Sequence, residues 1–170
     1  MAPFVQLLHS VSKAPGDVIA VPDTNVLLRQ PDVTKYADVL GTDKYTVLLT
    51  PGVLREMDEH KTNHKNEAVR EKARAFGGRI KGWRNQGNLA KGVKVQGNTY
   101  VRVEGREPDF DETLEWLDPD VADDRIIASI LEVQRSSPNA KIVLLTGDAT
   151  MLAKADAASI PTADTPDPEV

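Results

Sequence analysis

The feature that most constrains the fold is a short apolar run that ends in an acid and is followed at once by a second apolar run. It covers residues 18–28, Val-Ile-Ala-Val-Pro-Asp-Thr-Asn-Val-Leu-Leu. The first run is typical of a buried parallel strand, and the second is typical of the start of a helix. Asp23 is therefore expected where a strand passes into a helix, and sites in open α/β sheets collect at that edge.

The same alternation of strands and helices continues along the chain. Further strands are predicted at residues 45–50, 141–146 and 160–165, and a hairpin at residues 93–95 and 99–103. Helices are predicted over residues 36–40, 67–83 and 111–117. Further helices are predicted to begin after Asp23, at Pro51, at Asp118 and at Asp148, and the last two are expected to end near residues 135 and 155. This order predicts an α/β fold: a three-layer α/β/α sandwich on a mostly parallel sheet, with a small β-hairpin insertion.

Three segments are distinguished by composition. Residues 1–16 are predicted to form an amphipathic N-terminal segment because Phe4, Leu7, Leu8 and Val11 have helical spacing. Residues 17–165 are predicted to form a single domain, since 170 residues suffice for one substantial core. Residues 166–170, rich in proline and acid, are predicted to be a disordered tail.

Composition narrows the function classes. The chain has no cysteine, which excludes a disulfide framework or a thiolate zinc site and suits a reducing cytoplasm, the expected location. No apolar run approaches the roughly 20 residues of a membrane span, so no membrane partner is expected. The first residues carry no basic group ahead of their apolar positions and make a poor signal peptide.

The charge is unevenly distributed. The net charge is −5, yet residues 60–94 contain ten Lys and Arg against two Glu. A basic segment in an acidic body is typical of contact with a polyanion such as RNA. The candidate RNA contacts are Lys61, Lys65, Arg70, Arg74, Arg79, Lys81 and Arg84. The alternative is a solvated helix face whose aromatic residues, Phe76 and Trp83, pack inward.

Acidic residues recur at comparable positions in the predicted fold. Asp23, Glu56 and Asp148 each follow the end of a predicted strand, and Asp123 and Asp124 lie in the early turns of a neighbouring helix. Each alone is explained as a helix cap or a solvated residue. Together they predict clustered carboxylates, which repel one another unless a cation neutralises them, and oxygen-rich sites favour Mg²⁺ or Mn²⁺. Such ions support displacement at phosphorus.

Four stretches resemble the ordered motifs of PIN-domain ribonucleases, most closely the PIN domain attached to PhoH-type ATPases. They are Val-Pro-Asp-Thr-Asn-Val-Leu-Leu at residues 21–28, Leu-Arg-Glu-Met-Asp at 54–58, Asp-Asp-Arg-Ile-Ile-Ala at 123–128 and Leu-Leu-Thr-Gly-Asp at 144–148. The resemblance implies a Mg²⁺- or Mn²⁺-dependent endoribonuclease acting on RNA, with single-stranded RNA as the expected substrate. The resemblance is also consistent with a homodimer, and with an antitoxin or an RNA-processing protein as a partner.

The resemblance assigns roles residue by residue. Asp23, Glu56, Asp124 and Asp148 become the implied metal ligands, and Asn25 and Thr146 become polar groups that orient a carboxylate. The third motif fits two registers, since both Asp123 and Asp124 are followed three residues later by an isoleucine. Asp123 and Asp124 therefore both stand as catalytic candidates.

Three other interpretations compete. Glu56, His60 and His64 have the spacing of one helical face and would hold zinc if the helix continued that far. A haloacid-dehalogenase type of phosphatase requires a second acid where this chain has Asn25, and another where it has Leu152. A catalytically silent module that only binds RNA, or that serves in assembly, would keep the same motifs without turnover.

Overall fold

A computed structural model describes residues 18–170, in which six strands form one sheet in the order β3-β4-β2-β1-β5-β6. The strands are β1 (Val18–Pro22), β2 (Tyr45–Leu49), β3 (Val93–Gln96), β4 (Thr99–Val103), β5 (Lys141–Leu145) and β6 (Thr162–Ala163). All neighbouring pairs are parallel except β3 and β4, which form the antiparallel hairpin. The predicted hairpin and the mostly parallel sheet are confirmed.

Six α-helices lie within the described residues. They are α1 (Thr24–Arg29), α2 (Ala37–Leu40), α3 (Pro51–Asn63), α4 (Glu67–Arg84), α5 (Ala122–Ser136) and α6 (Ala149–Ala157). In the sheet, β2 and β4 lie on one side of β1, and β5 and β6 lie on its other side. Right-handed crossovers therefore place the two sets of helices on opposite faces of the sheet. The predicted α/β/α sandwich is confirmed.

The central strands are buried on both faces, which explains their continuous apolar sequences. Ala20 of β1, Val47 and Leu48 of β2, and Leu144 of β5 are fully enclosed. The registers pair Ala20 with both Val47 and Val143, so the three strands end close together. This alignment fixes where the acids that follow the strands are placed.

One predicted helix is absent, and the predicted start of another is wrong. Residues 111–117 form no α-helix; only a single 3₁₀ turn is present, at Phe110–Glu112. The helix predicted from Asp118 begins instead at Ala122. The Asp118 carboxylate accepts a hydrogen bond from the backbone N–H of Asp120 (2.8 Å), and its backbone carbonyl accepts one from Val121. Asp118 and Pro119 therefore form a turn before the helix, a role that Asp also favours.

Within residues 166–170, the segment predicted to be a disordered tail, Pro166, Asp167 and Glu169 form contacts with the domain. Arg29 donates to the carbonyl of Pro166 (3.0 Å), and Gln30 donates to the carbonyl of Asp167 (3.1 Å). The backbone N–H of Glu169 donates to the carbonyl of Arg29, and the Glu169 carboxylate pairs with Arg79 (3.1 Å). Because partners distant in sequence hold this segment, its local composition is a poor guide to whether it is ordered.

Two remaining expectations concern the N-terminal segment and helices that could span a membrane. The predicted amphipathic segment at residues 1–16 lies outside the described residues. Between residues 18 and 170, no helix combines the length and apolar character needed to cross a bilayer.

Candidate active site

The carboxyl edge of the sheet brings three of the predicted acids towards one place. Asp23 directly follows β1, and its backbone N–H donates to the carbonyl of Leu145, the last residue of β5. Asp148 comes three residues after β5. Glu56 lies in the second turn of α3, which begins two residues after β2. Because β2, β1 and β5 are adjacent, these acids share one edge.

Asp23 is 7% exposed and is held at both carboxylate oxygens. Oδ1 accepts a hydrogen bond from the backbone N–H of Val26 (2.8 Å), which caps α1, and Oδ2 accepts one from the Thr146 hydroxyl (2.5 Å). Burial raises the pKa of Asp23, against the lowering effect of these two hydrogen bonds, and the charges of Asp123 and Asp148 raise it further. Asp23 is therefore both a helix cap and a member of an acidic group.

Thr146 joins two of the acidic positions. Its hydroxyl donates to Asp23 and accepts a hydrogen bond from the backbone N–H of Asp148 (3.1 Å). Asp148 is exposed and caps α6, since its Oδ1 accepts from the backbone N–H of Met151 (2.9 Å). Asn25, in contrast, is exposed on α1, and no hydrogen bond links it to these carboxylates in the part of the chain that the structure describes.

Glu56 is half-buried and interacts electrostatically with the same group. Burial is the largest cause that raises its pKa, and the charges of Asp123 and Asp23 raise it further, while Arg125 lowers it. The Thr24 hydroxyl lies near enough to lower the pKa of Glu56. The two do not complete a hydrogen bond, so Thr24 Oγ1 stays buried without a partner among residues 18–170.

The two consecutive acids at the start of α5 have different surroundings. Asp124 is 4% exposed, and its carboxylate accepts hydrogen bonds from the Lys154 ammonium (2.5 Å) and from the backbone N–H of Asp118 (2.9 Å). Asp123 is half-buried; burial raises its pKa, and the charge of Asp148 adds to this effect. Asp123 thus faces the acidic group, whereas Asp124, included in the sequence-based ligand set, is neutralised by Lys154.

The donor chemistry of this edge suits a hard divalent cation. Asp23, Glu56, Asp123 and Asp148 supply carboxylate oxygens, and no Lys or Arg of residues 18–170 forms an ion pair with any of them. Oxygen ligands of this kind favour Mg²⁺ or Mn²⁺. In the conformation of the described chain, however, no three acidic or histidine side chains are close enough to hold one ion. An ion held by three of these side chains at once would therefore need side-chain movement, whereas Mg²⁺ can also be held by one or two carboxylates with water as the other ligands.

The zinc alternative fails on the geometry of α3. The helix ends at Asn63, so His64 is not on the continued helical face. The His60 and His64 rings meet edge to face with centroids 5.0 Å apart, and His64 Nδ1 accepts a hydrogen bond from the backbone N–H of Asn66 (3.0 Å). These contacts account for both histidines without a metal.

The basic segment forms the end of α3 and the exposed face of α4. Four of the seven candidate RNA contacts already have partners: Lys61 pairs with Asp58 (2.7 Å), Arg79 with Glu169, and Arg70 and Arg74 bind backbone carbonyls. The side chains of Lys65, Lys81 and Arg84 form no hydrogen bond or ion pair with the rest of residues 18–170. Phe76 and Trp83 pack edge to face in the interior, which confirms the prediction that these aromatic residues face inward.

Sequence reasoning missed two cations that shape the acidic edge. Lys154 on α6 neutralises Asp124, and Arg125 lowers the pKa of Glu56. Arg125 lies within the third motif and was therefore open to recognition as a site residue. Lys154 lies 30 residues from Asp124 in sequence, and no local pattern links them.

The fold and its edge define a class of protein: an α/β sandwich with acids after adjacent parallel strands. A family model described as "PIN domain" matches residues 20–166, nearly the whole chain. The chain belongs to the PIN domain family, whose members are generally nucleases. No curated protein matches the sequence significantly.

Proposed function

We propose that this chain is a divalent-metal-dependent endoribonuclease that hydrolyses RNA phosphodiesters. The observation that carries the proposal is the group of four carboxylates, Asp23, Glu56, Asp123 and Asp148, at one edge without a paired cation in the described chain. Desolvation and repulsion between the carboxylates raise the pKa values of Asp23, Glu56 and Asp123, and a bound cation would relieve that repulsion.

Mg²⁺ or Mn²⁺ would be held by these four residues, with Asp123 in place of Asp124. When bound, the ion supplies a Lewis acid that activates water and offsets the charge that develops on the phosphate. Thr146 positions the Asp23 carboxylate through Oδ2, and the Val26 N–H fixes Oδ1. Asp124 positions the start of α5 by binding Lys154 and the backbone of Asp118.

The substrate proposed is single-stranded RNA. The uncompensated cations Lys65, Lys81 and Arg84 support contact with phosphates, because ion-paired basic groups gain less from a polyanion. The closeness to PhoH-associated PIN domains, the homodimer, and an antitoxin or RNA-processing partner remain predictions.

A catalytically silent RNA-binding module is the second candidate. It is favoured by one observation, that no three side chains of the described chain are gathered to hold an ion. The two candidates differ in turnover and not in RNA binding.

The test is cleavage of a labelled single-stranded RNA by the purified chain with Mn²⁺, with Mg²⁺ and with EDTA. Asp23→Asn keeps an acceptor for the Val26 N–H and removes the charge, and Asp43→Asn serves as a control outside the group. Cleavage that needs metal and is lost only in Asp23→Asn is expected. Cleavage that persists in EDTA would contradict the proposal, and RNA binding without turnover under any ion would favour the silent module.

A further inference from the structure

A cleft lies between the end of α4, the start of α3 and the end of β4. Its walls are the apolar side chains of Leu54, Ile80, Leu89 and Val103, and its polar groups include Arg84 and Asn88. Its volume is about 640 Å³. Sites for small molecules typically have about 300–1,000 Å³. We call it the α4 cleft.

The four apolar walls of the α4 cleft are incompletely covered. Leu54, Ile80, Leu89 and Val103 all pack against the core but are only partly buried. They therefore leave a concave apolar surface in water, and covering that surface with a flat apolar group is favourable. Gly105, also at the cleft, has open space where a side chain would begin, so the entrance is not obstructed there.

Asn88 supplies a hydrogen-bond donor whose orientation is defined. Its Oδ1 accepts a hydrogen bond from the backbone N–H of Ala90 (2.9 Å), so the nitrogen Nδ2 is the atom left to donate. The Asn88 carbonyl accepts hydrogen bonds from the backbone N–H groups of Lys91 and Gly92 (3.1 and 3.0 Å). The turn that carries this amide is thus held by three hydrogen bonds.

The cleft also has cations at its border. Arg84 lines the cleft, and Lys81, one helical turn earlier on α4, lines an adjoining recess that shares Leu54 and Ile80 with it. Both side chains are exposed and form no ion pair within residues 18–170. Two free cations at i and i+3 on one helix face can contact a chain of phosphates. An apolar recess, an amide donor and free cations together match a nucleotide.

The α4 cleft lies at the same edge of the sheet as the carboxylates. Val103 is the last residue of β4 and is paired with Leu49, the last residue of β2. Leu54 lies in the first turn of α3, two residues before Glu56. The cleft and the acidic group are therefore on different sides of the first turns of a single helix.

We propose that the α4 cleft binds one unpaired base of a single-stranded RNA, with Arg84 and Lys81 on the adjacent phosphates and Asn88 Nδ2 donating to the base edge. This inference rests on the proposed function, because the α4 cleft would bind a nucleotide next to the bond that the proposed nuclease site cleaves. It predicts that a single base in the strand contributes more to affinity than its neighbours.

The test scans one abasic nucleotide along a fluorescent single-stranded RNA and measures affinity for the full chain in EDTA by anisotropy. In the wild type, one abasic position should weaken binding about tenfold, as expected for losing one bound base. In Leu89→Ala the penalty at that position should shrink to about twofold. Lys72→Gln removes a charge from α4 away from the cleft and should keep the tenfold penalty.

Two results would overturn the proposal: equal affinity at every abasic position, or a full penalty that persists in Leu89→Ala. Displacement of the RNA by poly-glutamate with no abasic effect would indicate an acidic protein partner instead. Cleavage of the same RNAs with Mn²⁺ is measured in parallel. Cleavage without an abasic effect overturns only the cleft, and an abasic effect without cleavage overturns only the nuclease.

Discussion

The carboxyl edge of the sheet and the exposed face of α4 carry opposite charges, and their charges are partnered differently. At the edge, Asp23, Glu56 and Asp123 are desolvated by burial, and no Lys or Arg pairs with them in the described chain. On α4, Arg79 pairs with Glu169 and Arg74 binds a backbone carbonyl. Uncompensated charge is therefore a better guide to a site than the number of charged residues.

The largest expected effect tests whether Asp123 belongs to the acidic group. Asp123→Asn should lower the rate of RNA cleavage by roughly 100-fold or more, since even residues that only support a metal ligand cost about 10–100-fold. Single-turnover cleavage at saturating Mn²⁺ measures this rate, and circular dichroism checks the fold. A rate within threefold of the wild type would remove Asp123 from the site.

The second-largest expected effect concerns Asp124, whose charge is compensated by Lys154. Asp124→Asn should destabilise the fold by about 2 kcal/mol, because it leaves the Lys154 ammonium, 25% exposed, without its carboxylate. Urea unfolding measures the loss of free energy of unfolding. The double variant Asp124→Asn with Lys154→Met should recover part of it. An unchanged unfolding midpoint would show that the pair is not structural.

The two kinds of cation on α4 can be compared directly. Lys81→Gln should weaken RNA binding and lower the slope of log affinity against log salt by about 1. Arg79→Gln should change this slope less, because Glu169 already neutralises Arg79. Anisotropy titrations at several salt concentrations measure both slopes. A larger change for Arg79→Gln would reverse the assignment of free and paired cations.

The smallest effect is on thermal stability without metal. Burial and Asp148 raise the pKa of Asp123 above its ordinary 3.8, so the proton is bound more tightly in the folded state than in the unfolded state. The associated stability is present below pH 3.8 and is lost as the pH rises through the raised pKa. Asp123→Asn should therefore melt about 2 °C higher than the wild type at pH 7, with no difference near pH 3. A lower melting temperature at pH 7 would contradict this.

The strand ends at the site could be predicted from sequence because their determinants are local. The apolar runs before Asp23 and Asp148 define buried strands, and Pro51 marks the start of α3. Parallel pairing then forces the residues that follow these strands to one edge. Sequence alone therefore predicted where Asp23, Glu56 and Asp148 lie.

The remaining features depend on contacts between distant residues. Asp123 and Asp124 fit the same motif, and what distinguishes them is the burial of Asp124 and its contacts with Lys154 from α6 and with the backbone of Asp118. Asp118-Pro119 has the composition of a helix start, but the Asp118 side chain is used in a turn. Residues 166–170 look disordered by composition, yet Arg29, Gln30 and Arg79 bind them.

Mn²⁺ binding measured by isothermal titration calorimetry without RNA shows directly whether the uncompensated carboxylates form a divalent cation site. We expect the wild type and Asp124→Asn to bind Mn²⁺, and Asp23→Asn and Asp123→Asn to lose at least tenfold in affinity. Asp43→Asn is the surface control and should bind as the wild type does. Absence of Mn²⁺ binding in the wild type would show that these carboxylates form no cation site, and a loss in Asp124→Asn but not in Asp123→Asn would show that Asp124, not Asp123, belongs to it.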